Sequence, residues 1–373
     1  MQKQSADSPC CGSGGITQTP EPRCAQDAPA SAMPYVTGWV ETPAGKIPQV
    51  SAELTSADKR GDLKVRCGIG RVVYRVGPGL YALGNPDAGS PVLVTANYKL
   101  TFDYLRRELP GLDAWLLVLD TRGINVWCAA GKGTFGTAEV VNRVRGTRLD
   151  EVVNHRNLIL PQLSATGVAA HEVRKQSGFK VTFGPIRSAD ILAFIEAGMV
   201  ATPEMRRVRF NLVDRLALVP NDVVQWFKYL LPLLAVVFVL SGIDRSGYSV
   251  DSLLSVAPRS VANLVIAYLG ATVLGPMLLP WLPGRAFALK GFVLGFLLFL
   301  LSYAAGLGGA NFIEYAGWAF TMSAVTSFIM MNFTGSSTFT SLSGVRREMV
   351  YAVPFQAMFV ILGVSLWMIA RFI

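Results

Sequence analysis

Five long apolar runs in the second half of the sequence set the strongest limit on what this chain can fold into. A helix of about 20 residues crosses the roughly 30 Å hydrocarbon core of a bilayer. Lipid offers the backbone no water, so each run must satisfy its own hydrogen bonds as a helix. The sequence therefore predicts a five-helix transmembrane domain at 223–373, after a linker at 213–222. The runs are Val223–Leu240, Val261–Leu282, Phe287–Tyr303, Phe312–Met331 and Met349–Ile369.

The basic residues that flank these runs lie mostly on one side. Loops kept in the cytoplasm are enriched in Lys and Arg. The bias predicts a multi-pass protein of the inner (cytoplasmic) membrane, with the N-terminal domain in the cytoplasm and the C-terminus outside. It also accounts for the net charge of +9 without a nucleic-acid partner. The cytoplasmic side has Arg206, Arg207, Arg209, Arg215, Lys228, Arg285, Lys290, Arg346 and Arg347, and the other side has Arg245, Arg259 and Arg371.

Residues 35–212 show a different pattern, in which short apolar strands alternate with helices. A Gly-rich, strand-like stretch, VRCGIGRVVYRVGPGLYALG, opens it, and the strands PVLVTAN, AWLLVLD, INVWCAA, LILP and FKVTFGPI follow. This alternation predicts a Rossmann-like α/β domain with a mostly parallel sheet. Ligands of such sheets bind at the carboxyl ends of the strands. Residues 1–34 are polar and rich in Ser, Gly and Pro, and we expect them to form a disordered tail.

The stretch INVWCAAGKGTFGT, at 124–137, contains the most distinctive candidate residues. Gly131, Gly133 and Gly136 match a G-x-G-x-x-G dinucleotide fingerprint, which requires a strand before it and a helix after it. Cys128, at the end of the predicted strand, is either a small core residue or an accessible thiol. A thiolate is a soft ligand for late transition metals. The small residues after Cys128 would let a large planar ligand approach the backbone.

The five cysteines are irregularly spaced and include no C-x-x-C pair. This pattern argues against a disulfide framework, a structural zinc site or an iron–sulfur cluster held by the chain itself. Cys10, Cys11 and Cys24 lie in the predicted tail, where they are either incidental or ligands for a soft cation.

The octapeptide NVWCAAGK, Asn125 to Lys132, is similar to the signature of the mercury-methylating corrinoid proteins. These are membrane-anchored relatives of the corrinoid iron–sulfur protein of the acetyl-CoA pathway. The resemblance extends over most of residues 90–373 and includes the tail of five membrane helices. It implies that Cys128 is the lower axial ligand of the corrinoid cobalt. It also implies a cap helix beneath the corrin ring, which conflicts with the strand predicted there. The cap would consist of Asn125, Val126, Trp127, Cys128, Ala129, Ala130, Gly131 and Lys132.

The resemblance further implies a corrinoid-dependent methyltransferase that moves a cobalt-bound methyl group to Hg(II) and forms methylmercury. Its expected partners are a ferredoxin-like electron donor with two [4Fe–4S] clusters and a methyl-pterin donor or its methyltransferase. Thr134 and Thr166 are interpreted as contacts to the corrin side chains or as ordinary turn residues. Asn97, Tyr98 and Lys99 are further candidates of the same kind.

Three other functions stay open at this point. One is a corrinoid methyl carrier in one-carbon metabolism, which would use the same site. Another is a membrane-bound dinucleotide oxidoreductase that uses the glycines of 131–136. The third is a membrane scaffold with a degenerate domain that binds no ligand.

Overall fold

The computed structural model describes residues 35–333 and 342–373. The predicted tail, with Cys10, Cys11 and Cys24, lies outside these residues. The described chain divides into two compact units. The α/β unit comprises 35–58 and Tyr74–Met205, and the helical unit comprises Lys59–Val73 and Arg206–Ile373.

The α/β unit is built on a sheet of seven strands in the order β1-β2-β3-β5-β4-β6-β7. β1 and β2 are antiparallel, as are β3 and β5, and the other four neighbouring pairs are parallel. The sheet is therefore mostly parallel, as the alternation predicts. The strands are β1 Val36–Thr42, β2 Gly45–Val50, β3 Gly79–Leu83, β4 Val92–Ala96, β5 Ala114–Leu119, β6 Asn157–Leu160 and β7 Lys180–Phe183.

Both faces of this sheet are covered, because every residue of β3, β4 and β5 is buried. Alternate residues of a strand point to opposite faces. Trp115, Leu117 and Leu119 of β5 accordingly join one apolar cluster, while Leu116 and Val118 join another. The helices that follow the chain through this unit are α1 Ser56–Arg66, which continues into the helical unit, α2 Lys99–Arg107, α3 Val126–Lys132, α4 Thr137–Gly146, α5 Leu149–Val152, α6 Ala170–Ser177 and α7 Ile191–Glu196.

Two strand predictions are wrong. INVWCAA forms the helix α3, because Asn125 caps its first turn and Val126, Ala129 and Ala130 recur at helical spacing on its buried face. In VRCGIGRVVYRVGPGLYALG only Gly79–Leu83 is a strand. The beginning of that stretch completes α1, and Gly68 and Gly70 then turn the chain with positive φ.

Among its described residues, the helical unit contains four helices that are long and apolar enough to cross a membrane: Leu212–Leu240, Val250–Leu278, Phe287–Ala304 and Gly344–Ile369. The remaining predicted run, the fourth along the chain, also forms a helix, α13 Phe312–Met331. Among the described residues it is not one of the helices that meet both the length and the composition needed for a span. The elements are α8 Leu212–Leu216, α9 Val219–Leu240, the short strands β8 Ile243–Asp244 and β9 Gly247–Tyr248, α10 Val250–Leu269, a π-helical turn at Gly270–Leu274, α11 Gly275–Leu278, α12 Phe287–Ala304, α13, and α14 Leu342–Ile369.

Helix α13 is packed closely within the helical unit. Its polar residues Thr321, Ser323, Thr326 and Ser327 are buried. Gly291 and Gly295 of α12 let the two helices approach closely: a Cβ atom on either glycine would lie 2.6 Å from a Cα atom of α13. Small residues at this spacing are typical of helix pairs in membranes. The composition of α13 thus reflects contact with protein.

Candidate functional site

The candidate site lies at the edge of the sheet where the parallel strands β4, β5, β6 and β7 end. Parallel strands bring their carboxyl ends to the same edge, which is where ligands of α/β sheets bind. Residues 97, 120–123, 161–167 and 184–187 follow these strands directly. Helix α3 begins just after the second of these segments.

The turn that leads into α3 is held by Asn97, a fully buried residue after β4. Its Oδ1 accepts hydrogen bonds from the backbone N–H groups of Thr121 and Gly123, at 3.1 and 2.9 Å. Its Nδ2 donates to Asp120 Oδ1 at 2.9 Å. The amide of Asn97 is thus used within the protein, and its contact with a ligand stays a prediction. Asn97 fixes the entry of α3.

Helix α3 has one buried face and one exposed face. Val126, Ala129 and Ala130 are buried. Asn125 Oδ1 accepts a hydrogen bond from the Cys128 N–H at 3.0 Å, which satisfies one of the unpaired donors of the first turn. Trp127, Cys128, Gly131 and Lys132 form the exposed face. The Cys128 thiol is thus presented at the surface, on a helix that is attached to the core from the opposite side.

Three glycines set the shape around α3. No atom lies within 4 Å of a Cβ position built on Gly131, so the exposed face is open one turn after Cys128. Gly133 ends the helix in the left-handed region, with φ of 79°. A Cβ atom on Gly167 would collide with Phe135 O and lie 3.0 Å from Ala130 Cα. The loop after β6 therefore packs directly beneath α3.

The positions of Gly131, Gly133 and Gly136 contradict the dinucleotide fingerprint. Gly131 lies inside α3, Gly133 ends it, and Gly136 precedes α4. The fingerprint needs a strand immediately before its first glycine, and here the three glycines connect two helices.

The predicted threonines differ in their surroundings. The Thr134 hydroxyl donates to Ala129 O at 3.4 Å and so helps to close the end of α3. Thr166 is exposed in the loop after β6. In the same loop, Gln162 Oε1 is buried without a hydrogen-bond partner in the described part of the chain. Gln162 begins one of the segments after a predicted strand where a ligand is expected, although no individual role was predicted for it.

The ammonium group of Lys99 is likewise used within the protein, where it is buried between two carboxylates. Its Nζ lies 2.6 Å from Asp58 Oδ1 and 2.5 Å from Asp103 Oδ2. Arg106 Nη2 lies 2.8 Å from Asp58 Oδ2. Burial raises the pKa of Asp58, but the hydrogen bonds and charges of these partners outweigh it and hold that pKa well below its usual range.

A cleft of about 400 Å³ lies elsewhere in the α/β unit, lined by residues that include Gln49, Gly84 and Asp113. Leu83, which precedes Gly84, pairs with Ala114 at the beginning of β5. The cleft therefore opens at the other end of β5 and is separate from the α3 edge.

Comparison with known proteins matches the part of the chain that contains this edge. Residues 70–195 match the family described as CO dehydrogenase/acetyl-CoA synthase delta subunit. The chain is similar to the acetyl-CoA decarbonylase/synthase complex subunit gamma of Archaeoglobus fulgidus, with 35% identity over 128 residues, or 34% of this chain and 27% of the relative. The subunit gamma of Methanopyrus kandleri is 36% identical over 128 residues, again 34% and 27% of the two chains.

The corresponding subunit of Methanocaldococcus jannaschii is 33% identical over 122 residues, which is 32% of this chain and 25% of the relative. The chain thus spans about a quarter of the length of these curated relatives. The family match at 70–195 includes β3 to β7 and the whole of α3, and so it covers the strands and the helix that form the candidate site.

Proposed function

We propose that this chain is a membrane-anchored corrinoid protein that transfers a methyl group, with Cys128 as the ligand of the corrinoid cobalt. The observation that carries the proposal is the position of Cys128. It lies on the exposed face of a two-turn helix, at the carboxyl edge of a mostly parallel sheet. A thiolate presented in this way is a soft ligand for a metal carried by a bound cofactor.

The residues around Cys128 fit such a cofactor. The open space at Gly131 leaves room for a flat ring over α3. Asn125, Val126, Trp127, Ala129, Ala130, Gly131 and Lys132 would form the surface under the ring. The buried Gln162 Oε1, which has no partner among the described residues, and the exposed Thr166 would serve its amide side chains. Thr134 would act indirectly, by closing the end of α3.

The cofactor would supply a methyl group bound to its cobalt. The Cys128 thiolate donates electron density to a metal bound to it, and an axial ligand is one of the main controls that a protein has over such a cofactor. This donation favours departure of the methyl group with its bonding electrons, which suits an electrophilic acceptor. We therefore propose Hg(II) as the substrate and methylmercury as the product, in keeping with the similarity of NVWCAAGK to the mercury-methylating proteins.

The chain would need partners for a complete cycle. A ferredoxin-like protein with two [4Fe–4S] clusters would deliver electrons, and a methylated pterin or its methyltransferase would deliver the methyl group. The four long apolar helices support an anchor in the inner membrane. Their flanking charges support a cytoplasmic α/β unit and an external C-terminus.

A second candidate function is a corrinoid methyl carrier in one-carbon metabolism. The observation that favours it is the match of residues 70–195 to acetyl-CoA synthase subunits. Both candidates use Cys128 in the same way and differ in the methyl acceptor.

The test of the shared site is the visible absorption spectrum of the full chain loaded with cobalamin. We expect a thiolate-ligated cobalt spectrum that disappears in Cys128→Ala and persists in the matched control Cys67→Ala. An unchanged spectrum in Cys128→Ala would contradict the assignment of the ligand. Methylmercury formation from added Hg(II), with the reduced ferredoxin-like partner and a methyl donor, then separates the two candidates, since a dedicated carrier would form none.

A further inference from the structure

Two segments of the helical unit, 59–73 and 206–216, carry a surface that methyl transfer does not explain. Together they contain nine Lys or Arg residues and two acidic residues. The acidic residues, Asp62 and Asp214, are half-buried. The basic residues that are exposed are Lys59, Arg60, Lys64, Arg71, Arg206, Arg207 and Arg209.

Large apolar side chains lie exposed among these cations. Val72 is 78% exposed, Val73 67% and Ile69 58%, all in the turn that follows α1. In the second segment Val213, in α8, is 73% exposed. Exposed apolar groups that are gathered on one surface mark an interaction site. Their mixture with cations is typical of segments that lie in the plane of a membrane surface.

The contacts of the two segments place them beside the first apolar helix. Arg66 Nη1 donates to Ala217 O at 3.4 Å. A Cβ atom on Gly68 would lie 3.3 Å from Asn221 Oδ1, in the first turn of α9. Both segments are therefore located where the chain enters the span Leu212–Leu240.

A tryptophan indicates the depth of this region in the membrane. Trp281 is 71% exposed and lies between the spans Val250–Leu278 and Phe287–Ala304. The Arg215 guanidinium lies 5.9 Å from the centre of its ring. Tryptophan is enriched at the level of the lipid headgroups, so α8, which contains Arg215, would lie at headgroup depth.

We propose that segments 59–73 and 206–216 form a membrane-surface element that binds the headgroups of anionic lipids. The exposed cations contact the headgroups, while Ile69, Val72, Val73 and Val213 insert between them. The inference rests on the membrane anchoring proposed above, and it is independent of the corrinoid. Anionic lipids are the occupant that fits, because the exposed charges of both segments are all positive and both segments also expose large apolar side chains.

The experiment measures hydrogen–deuterium exchange of the full chain in lipid nanodiscs, either of neutral phosphatidylcholine or with 30% phosphatidylglycerol. We expect peptides from 67–73 and 206–213 to exchange about tenfold more slowly in the anionic discs, since each basic residue at an anionic surface contributes about a fivefold change in binding. The turn between β1 and β2 serves as an internal reference and should exchange at the same rate in both discs.

The variant that replaces Lys59, Arg60, Lys64 and Arg71 with Gln should lose most of this lipid dependence. The matched control replaces four exposed basic residues of the α/β unit, Lys46, Arg174, Lys175 and Lys180, with Gln and should keep it. Equal exchange in the two kinds of disc, or an equal loss in both variants, would overturn the inference. A chain that does not enter the discs would overturn the membrane anchoring as well, whereas a lost cobalt spectrum would leave this inference untouched.

Discussion

Both units bury charged side chains, but they balance the charges differently. In the α/β unit, Asp58 and Asp103 are paired with Lys99 and Arg106, and each carboxylate contacts both cations. In the helical unit, the fully buried carboxylate of Glu314 contacts both Arg259 and Arg371. The first cluster pairs two carboxylates with two cations, and either carboxylate contacts both cations. The second cluster pairs two cations with a single carboxylate.

The difference concerns how each cluster would tolerate damage. A buried charge that loses its partner costs far more than an ion pair contributes. If one carboxylate of the first cluster is removed, the other still contacts both cations. If Glu314 is removed, two guanidinium groups lose the carboxylate that they share, between helices that are far apart in the sequence.

The largest expected effect is therefore that of Glu314→Gln. We expect it to destabilise the helical unit by about 3–5 kcal/mol, the usual cost of breaking a buried ion pair from one side. Thermal unfolding of the full chain in lipid discs measures it. Arg259→Gln is the matched control and should cost about 1 kcal/mol, because the Arg259 side chain is 21% exposed and Glu314 keeps Arg371. Similar melting of the two variants would refute the asymmetry.

A smaller effect is expected for Asp103→Asn. Asp58 remains to balance Lys99 and Arg106, so we expect a loss of roughly 2–3 kcal/mol, at or below the lower limit for a broken buried pair. Urea unfolding of the full chain, followed by a probe in the α/β unit, measures it. The control is Glu151→Gln, which breaks the exposed pair with Arg148 and should cost much less, because solvent screens that pair. Equal losses would show that burial of the network adds nothing.

The smallest effect is a dependence on pH. Since the pKa of Asp58 is lowered in the folded protein, its ionised form stabilises the fold above the unfolded-state value of about 3.9. That contribution is lost as the pH falls from there towards the folded-state pKa. We expect the stability difference between the wild type and Asp58→Asn to be constant from pH 7 to pH 5 and to shrink below pH 4. A difference that does not change down to pH 3 would contradict this linkage.

Much of the α/β unit could be predicted from the sequence, because its central strands are apolar throughout and are separated by helices. PVLVTAN and AWLLVLD are the strands β4 and β5 for this reason. The helix α3 could not be predicted from periodicity, since seven residues are too few to separate a period of 2 from one of 3.6. Helix α1 is too polar to show an apolar helical periodicity in the sequence. It depends on contacts such as that of Asp58 with Lys99.

The candidate site, like the fold, could be predicted from the sequence only in part. The exposure of Cys128 was predicted from a strand end, and the structure has it exposed on a helix instead. Asn97 and Lys99 were predicted to face a ligand because they follow a strand. Their partners, Asp120 and Asp58, lie 23 and 41 residues away in the sequence. No local pattern contains that information.

The division of the chain into two units has a practical consequence for isolating one unit from the other. The backbone passes from one unit to the other after Asp58, after Val73 and after Met205. A single protease cut near residue 205 would therefore leave 59–73 attached to the α/β fragment, with its apolar side chains removed from their own unit. Such a fragment should aggregate and be poorly soluble even if its sheet is intact. Release of a soluble domain that does not aggregate would need two further cuts, after Asp58 and after Val73, or a short peptide linker that joins Asp58 directly to Tyr74.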